Sequence, residues 1–208
     1  MTPKIGIVDF GVGNLFSVDN AVKTLTKDRF ISSNPEKLMS ADCIIFPGVG
    51  SFADGMNRMR SQGLDTFMKD FFESGKPILG ICLGMHLMFS EGDEGGENKG
   101  LGLIKGRIEK LKHRNNSRIP HIGWNDVYGD DLKEMEIMSG ISQHSSFYFV
   151  HSYHAIPDEK IYSVYTDFYG LSIIAGVRKN NLFATQFHPE KSQTVGLQIL
   201  KNFFDMVN

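Results

Sequence analysis

The stretch "PILGICLGMHLMF", residues 77–89, begins as an apolar strand, continues as a helix, and sets Gly80, Cys82 and Gly84 at the joint. A short unbroken apolar run bounded by turn residues reads as a strand covered on both faces. A strand that feeds a helix through such a turn is the building unit of an open α/β sheet. The G-x-C-x-G arrangement is the cysteine analogue of a nucleophile elbow: the glycines allow a sharp turn and close backbone approach, leaving the central side chain exposed. A thiol at a helix N-terminus also gains thiolate stabilisation from the free N–H groups and the helix dipole. The competing reading is a buried thiol between two packing glycines, and the rest of the chain has to arbitrate.

Working outward, the first half alternates strand-like and helix-like segments: "KIGIVDF", a helix over 14–27, "DCIIFPG", a helix over 52–74, "PILGI", and a helix over 83–90. In the first helix Leu15, Val18, Val22 and Leu25 fall at spacings of three and four, which makes one apolar face. After the acidic, glycine-rich "EGDEGGENKG" come short strands and turns, "GLIKGRIEKL", "HIGWNDVY", "SFYFVHSYHAI", "IYSVYTDF", "LSIIAGVR" and "LFATQF", the last two joined by a hairpin signal, "KNN". The chain closes on an amphipathic helix, "TVGLQILKNFFDMV". The expected fold is α/β: a single domain over 1–208 with a central, mostly parallel sheet extended by antiparallel strands and helices on both faces.

Composition narrows the function classes. With 208 residues, 41% hydrophobic, 22% charged and a net charge of -2, nothing points to disorder or a nucleic-acid partner. The basic stretch over 105–118 lacks interleaved aromatics and reads as a solvated turn. Apolar runs such as "CIIF" and "FYFV" fall far short of the ~18 residues a membrane helix needs, and "MTPKIGIVDFG" lacks a signal-peptide layout. No membrane partner and a cytoplasmic location are the expectations. Two cysteines make neither a disulfide framework nor a zinc spacing, and Cys43 in "ADCIIFPG" reads as packing. In "GVGNLF", Phe16 stands where a dinucleotide fingerprint needs its last glycine, and no phosphate-binding GxxxxGK[ST] occurs. No cofactor and no metal are expected.

In open α/β sheets, sites form beyond the carboxyl ends of the strands. Three loops there carry unusual residues. "PGVG", 47–50, suits a turn that aims N–H groups at a developing oxyanion, with the N–H of Leu83 as the second donor of an elbow. "TQFHPEKS" supplies His188 and Glu190, a spacing that suits a base and the carboxylate that orients it. His86 is the local competitor: four residues after Cys82 on a helix, it shares roughly that face. His151 and His154 lack further groups at metal-ligand spacing. On a strand His151 and Ser152 face opposite ways, so a site or interface role for one of them is expected.

Together, "PGVG", "GICLGM" and "FHPEKS" in this order resemble the class I, or triad-type, glutamine amidotransferases. "VDFGVGN", "PHIGWN" at 120–125, "FYFVHSY" at 147–153 and the lysine of "HPEKS" make the chain similar to the glutaminase subunits of imidazole glycerol phosphate synthases. The resemblance implies a triad of Cys82, His188 and Glu190, and hydrolysis of glutamine through a γ-glutamyl thioester. It implies oxyanion and substrate-binding positions at Gly48, Val49, Gly50, Leu83, His86, His151, Ser152 and Tyr153. It also implies a heterodimer with a (β/α)8 cyclase subunit that uses the ammonia to make imidazole glycerol phosphate and an aminoimidazole carboxamide ribotide in histidine synthesis. Matching contact positions are Asn14, Pro120, Trp124, Asn125, Tyr148 and Lys191. One departure stands out: the family usually has glutamine, gripping the substrate, where this chain has His86. Similar glutaminases that feed amidotransferases of cell-surface sugars are the alternative.

Overall fold

In the computed structural model, which describes residues 3–113 and 117–207, the strand expected at 77–81 lies in the middle of a seven-stranded sheet. Its parallel part comprises β1 (Ile5–Val8), β2 (Arg29–Ser32), β3 (Cys43–Gly48), β4 (Ile78–Cys82) and β13 (Leu182–Thr185). Beyond β13 the sheet continues antiparallel through β12 (Leu171–Lys179) and β11 (Tyr162–Phe168). The strand order is β11-β12-β13-β4-β3-β1-β2, so β4 has parallel neighbours on both sides and is buried throughout. That is the environment in which an unbroken apolar strand is stable.

Alternation along each central strand feeds two cores. On β3, Cys43 and Ile45 point to one side, with Val18 and Val22 of α1 (Leu15–Lys23) and Ile199, Leu200 and Phe203 of α6 (Gln193–Asp205). Ile44 and Phe46 point to the other, against α3 (Phe52–Ser61), α4 (Leu64–Glu73) and α5 (Leu83–Leu87). Cys43 is packing, as expected, and burial pushes its thiol pKa up. A short helix, α2 (Pro35–Met39), sets Leu38 in the second core.

Two smaller assemblies complete the molecule. β5 (Phe89–Gly92), β6 (Asn98–Lys99), β7 (Ile104–Lys110) and β10 (Tyr153–Pro157) form a sheet in the order β10-β7-β5-β6. β8 (His121–Val127) and β9 (Ser145–His151) form an antiparallel ribbon. Phe147 and Phe149 of the ribbon pack on Phe187, with the Phe147 ring stacked 4.2 Å from it.

Several expected boundaries move. The helix expected over 83–90 ends at Leu87, and Phe89 starts β5. The helix expected over 52–74 is two helices, broken where Gly63 takes φ 68°. "SFYFVHSYHAI" is split at Ser152, with β9 pairing to β8 and β10 to β7. The "KNN" hairpin joins β12 to β13, with Asn180 at φ 54°. In the basic stretch, Ile104–Lys110 is strand instead of turn, and residues 114–116 lie outside the described residues. No helix among the described residues is long and apolar enough to cross a membrane.

Candidate active site

Because β3, β4 and β13 are neighbours in the sheet, their carboxyl ends open side by side. Register pairs Gly48 with Cys82 and Ile81 with Thr185, so the loop at 49–51, the elbow and the residues after Thr185 converge. Cys82 adopts φ 54° and ψ -108°, a conformation that non-glycine residues avoid. Such strain persists where the surrounding structure over-determines it. Here Gly84 does so: a Cβ at that position would lie 1.8 Å from the Phe46 carbonyl oxygen, so α5 rests directly on the backbone of β3. Cys82 is buried, 7% exposed as a residue.

His188 follows Phe187 out of β13. Its Nδ1 lies 2.8 Å from Oε1 of Glu190, and both side chains are buried. The turn that holds them is fastened to the ribbon: the His188 N–H donates to the Tyr148 carbonyl at 2.9 Å, the Tyr148 N–H donates to Ser192 Oγ at 3.0 Å, and Ser192 Oγ donates to the His188 carbonyl at 2.7 Å. Burial alone pulls the imidazole pKa down. The nearby Cys82 sulfur and the Glu190 carboxylate, which is hydrogen-bonded to Nδ1, outweigh it, and His188 is pushed up to about 10. Its Nε2 is buried and makes no well-formed hydrogen bond within the chain; the thiol is the group on that side. The set is a cysteine, an imidazole that carries a proton at neutral pH, and a carboxylate that orients it.

The other expected positions divide. Val49 is exposed and Gly50 takes φ 115°, in the loop that follows the partner of Cys82 in the sheet; Leu83 begins α5. His151 is buried at the end of β9, while Ser152, between the strands, and Tyr153, the first residue of β10, are half-buried. His86 is buried, with Nε2 2.7 Å from Oε1 of Gln186. Its pKa is lowered to about 4, mainly by burial and further by His154, so it is neutral. Trp124 stands edge-on to Tyr148 at 6.2 Å, and Lys191 Nζ sits 5.7 Å from the centre of the Tyr148 ring, so these three share one outer surface. Asn14 is exposed and caps α1 through Ser17; Pro120 is exposed after a cis peptide bond. Asn125 lies on the opposite face of the ribbon from Trp124, its amide donating to the Asp167 carbonyl at 2.7 Å and to His121 Nε2 at 3.1 Å.

Sequence reasoning missed three neighbours of the site. Gln186 is wholly buried, and its Nε2 donates to the Cys82 sulfur at 3.9 Å. The signal was a polar residue at the end of the apolar run "LFATQF", two before His188 and so on the same side of an extended chain. Glu94 accepts from the Phe52 N–H at 2.9 Å and ties down the start of α3 beyond the 48–51 loop. His121 donates from Nδ1 to His151 Nε2 at 2.9 Å, and His151 Nδ1 donates to the Tyr153 carbonyl at 2.8 Å, directions set by the Asn125 amide at the far end. Among the described residues no three His, Cys, Asp or Glu side chains gather as a metal site.

Comparison with known proteins agrees with this architecture. The family model for glutamine amidotransferase class-I matches residues 7–207, and the chain belongs to that family. Within it, the chain is 43% identical over 202 residues to the imidazole glycerol phosphate synthase subunit HisH of Sulfurimonas denitrificans, covering 96% of each chain. It is 39% identical over 207 residues to the subunit of the same name from a Geobacillus species, covering 98% of this chain and 97% of that one. Its place in the family is therefore among the HisH subunits. The structure of PurLQS from Thermotoga maritima superposes with a TM-score of 0.77 at 19% identity, covering all of both chains, and shares the fold.

Proposed function

We propose that residues 1–208 act as one glutaminase domain, the subunit of an imidazole glycerol phosphate synthase that supplies ammonia. The observation that carries this reading is the meeting of Cys82, His188 and Glu190 at the ends of adjacent strands. The Cys82 thiolate attacks the side-chain carbonyl carbon of glutamine, and the N–H groups of Val49, Gly50 and Leu83 stabilise the oxyanion. His188 gives its proton to the departing nitrogen, so ammonia leaves and a γ-glutamyl thioester remains. His188, now neutral, takes a proton from water as it attacks the thioester; glutamate departs and the thiolate–imidazolium pair is restored. Glu190 holds the ring on Nδ1 throughout, leaving Nε2 to face the sulfur.

The ammonia passes to a (β/α)8 cyclase subunit in a cytoplasmic heterodimer, which forms imidazole glycerol phosphate and the aminoimidazole carboxamide ribotide of histidine biosynthesis. In support, the ribbon presents Ile122 and Trp124, 59% and 49% exposed, beside Tyr148 and Lys191. Lys191 faces a partner carboxylate in this arrangement. The test uses the purified complex. Cys82→Ala and His188→Ala are each expected to lower glutamine hydrolysis about 10⁴-fold or more, in line with loss of a triad member, while synthesis from added ammonia continues. Retained hydrolysis in Cys82→Ala overturns the reading.

A further inference from the structure

We propose that His86 is a positioning residue that acts on the nucleophile through Gln186: His86 Nε2–H holds the Gln186 amide so that its N–H, and not its carbonyl, faces the Cys82 sulfur. This rests on the glutaminase reading above and gives His86 a role other than direct grip on the substrate.

The geometry is a directed chain. His86 and Gln186 are both buried, 2.7 Å apart between Nε2 and Oε1, and Gln186 Nε2 lies 3.9 Å from Cys82 Sγ. The backbone of Gln186 is itself fixed, its N–H donating to the Ala175 carbonyl at 2.8 Å. A primary amide has one donating and one accepting end, so whatever donates to its oxygen decides what its nitrogen meets. A neutral imidazole with its proton on Nε2 does this. Turning the amide over would leave the ring donor facing an NH₂ group and set a carbonyl oxygen against a thiolate, and burial makes both mismatches costly. The neutral state is secured by the surroundings: His151 and His154 are the titratable groups that face His86, and any charge they carry disfavours an imidazolium there. His188 is the titratable group that faces the sulfur, with Glu190 behind it.

The experiment follows alkylation of the full-length chain by iodoacetamide as a function of pH, with Cys82→Ala as the baseline for Cys43. His86→Leu and Gln186→Leu are each expected to raise the alkylation midpoint. Each should slow alkylation at neutral pH about three- to tenfold, the range of one weak charge-assisted hydrogen bond. The double variant should show the same shift as either single one, because both break one chain. His86→Gln, whose amide carries a donor to similar reach, should restore the midpoint. In the glutaminase assay of the complex, kcat should fall with KM little changed. An unmoved alkylation midpoint in either leucine variant overturns the proposal, whatever happens to its Tm, and so does a rise in KM alone. If Cys82→Ala still hydrolysed glutamine, the glutaminase reading would fail, while the alkylation series would still decide what His86 does to the thiol.

Discussion

At residue 82 the backbone and the chemistry make opposite demands. The sharp turn that presents the sulfur holds Cys82 at φ 54°, where a Cβ is unwelcome. Strain of this kind is worth about 1–3 kcal/mol. Cys82→Gly is therefore expected to be more stable than Cys82→Ala by about 1 kcal/mol, after allowing for the extra chain entropy that glycine loses on folding. Both variants lack the thiol, so urea denaturation compares them on the backbone alone; equal midpoints would show that the turn holds no strain. The proposed triad could be picked out at this scale because each member sits in a short motif whose residue types have few other uses together. Gln186 was not, because glutamine carries no charge and has no motif; only its place beside the sulfur marks it. His86 was visible as a local competitor, four residues along a helix from Cys82, and what its position could not show is that its Nε2 pairs with Gln186.

At the scale of elements, two glycines flank the elbow and differ in what they permit. A Cβ on Gly84 would strike the Phe46 carbonyl at 1.8 Å, whereas one on Gly80 would first meet the flexible end of Met88 at 2.8 Å. Gly84→Ala must push α5 away from β3 and is expected to cost about 3 kcal/mol or more, while Gly80→Ala costs about 1 kcal/mol. Thermal denaturation of the two variants measures the difference, and similar Tm values would contradict it. A boundary that periodicity misplaced lies just beyond the elbow. "LGMHLMF" has helical spacing, but α5 stops at Leu87, and Phe89 pairs with Ile104 of β7 as a strand. The strand β2 gave no clear pattern because it is an edge strand, half-buried for most of its length, and an edge does not need alternating apolar residues. The central strands were readable for the converse reason: both their faces are covered, so every side chain has to be apolar.

For the molecule as a whole, the histidines set the response to pH. Burial lowers His86 and His121 to about 4 and holds His151 well below its ordinary value. His154 is lowered too, first by burial. As pH falls from 6.5 towards about 4, the unfolded chain takes up protons that the folded one refuses, so stability is lost on the acid side. His188 works in the other direction: its raised pKa contributes stability that is complete below 6.5 and disappears as pH rises through about 10. The urea midpoint is thus expected to pass through a maximum near the ordinary histidine pKa of 6.5. His188→Ala should flatten only the alkaline side; an unchanged alkaline side would show that His188 is not held protonated.

The sequence by itself determined the elements that carry chemistry. An apolar strand, a glycine-flanked cysteine and a histidine two residues from a glutamate are local patterns, and the physics that makes them recognisable acts over a few residues. Which strands are neighbours is a different matter. Cys82 and His188 are 106 positions apart, and they meet because β13 enters the sheet beside β4, on the side away from β3. Pairing of that range is settled by which faces can be buried together, a property of the whole packed sheet. The same is true of the turn clamped by Tyr148 and of the chain from His86 through Gln186 to the sulfur, where groups on separate elements find their hydrogen-bond partners only once burial has removed water as an alternative.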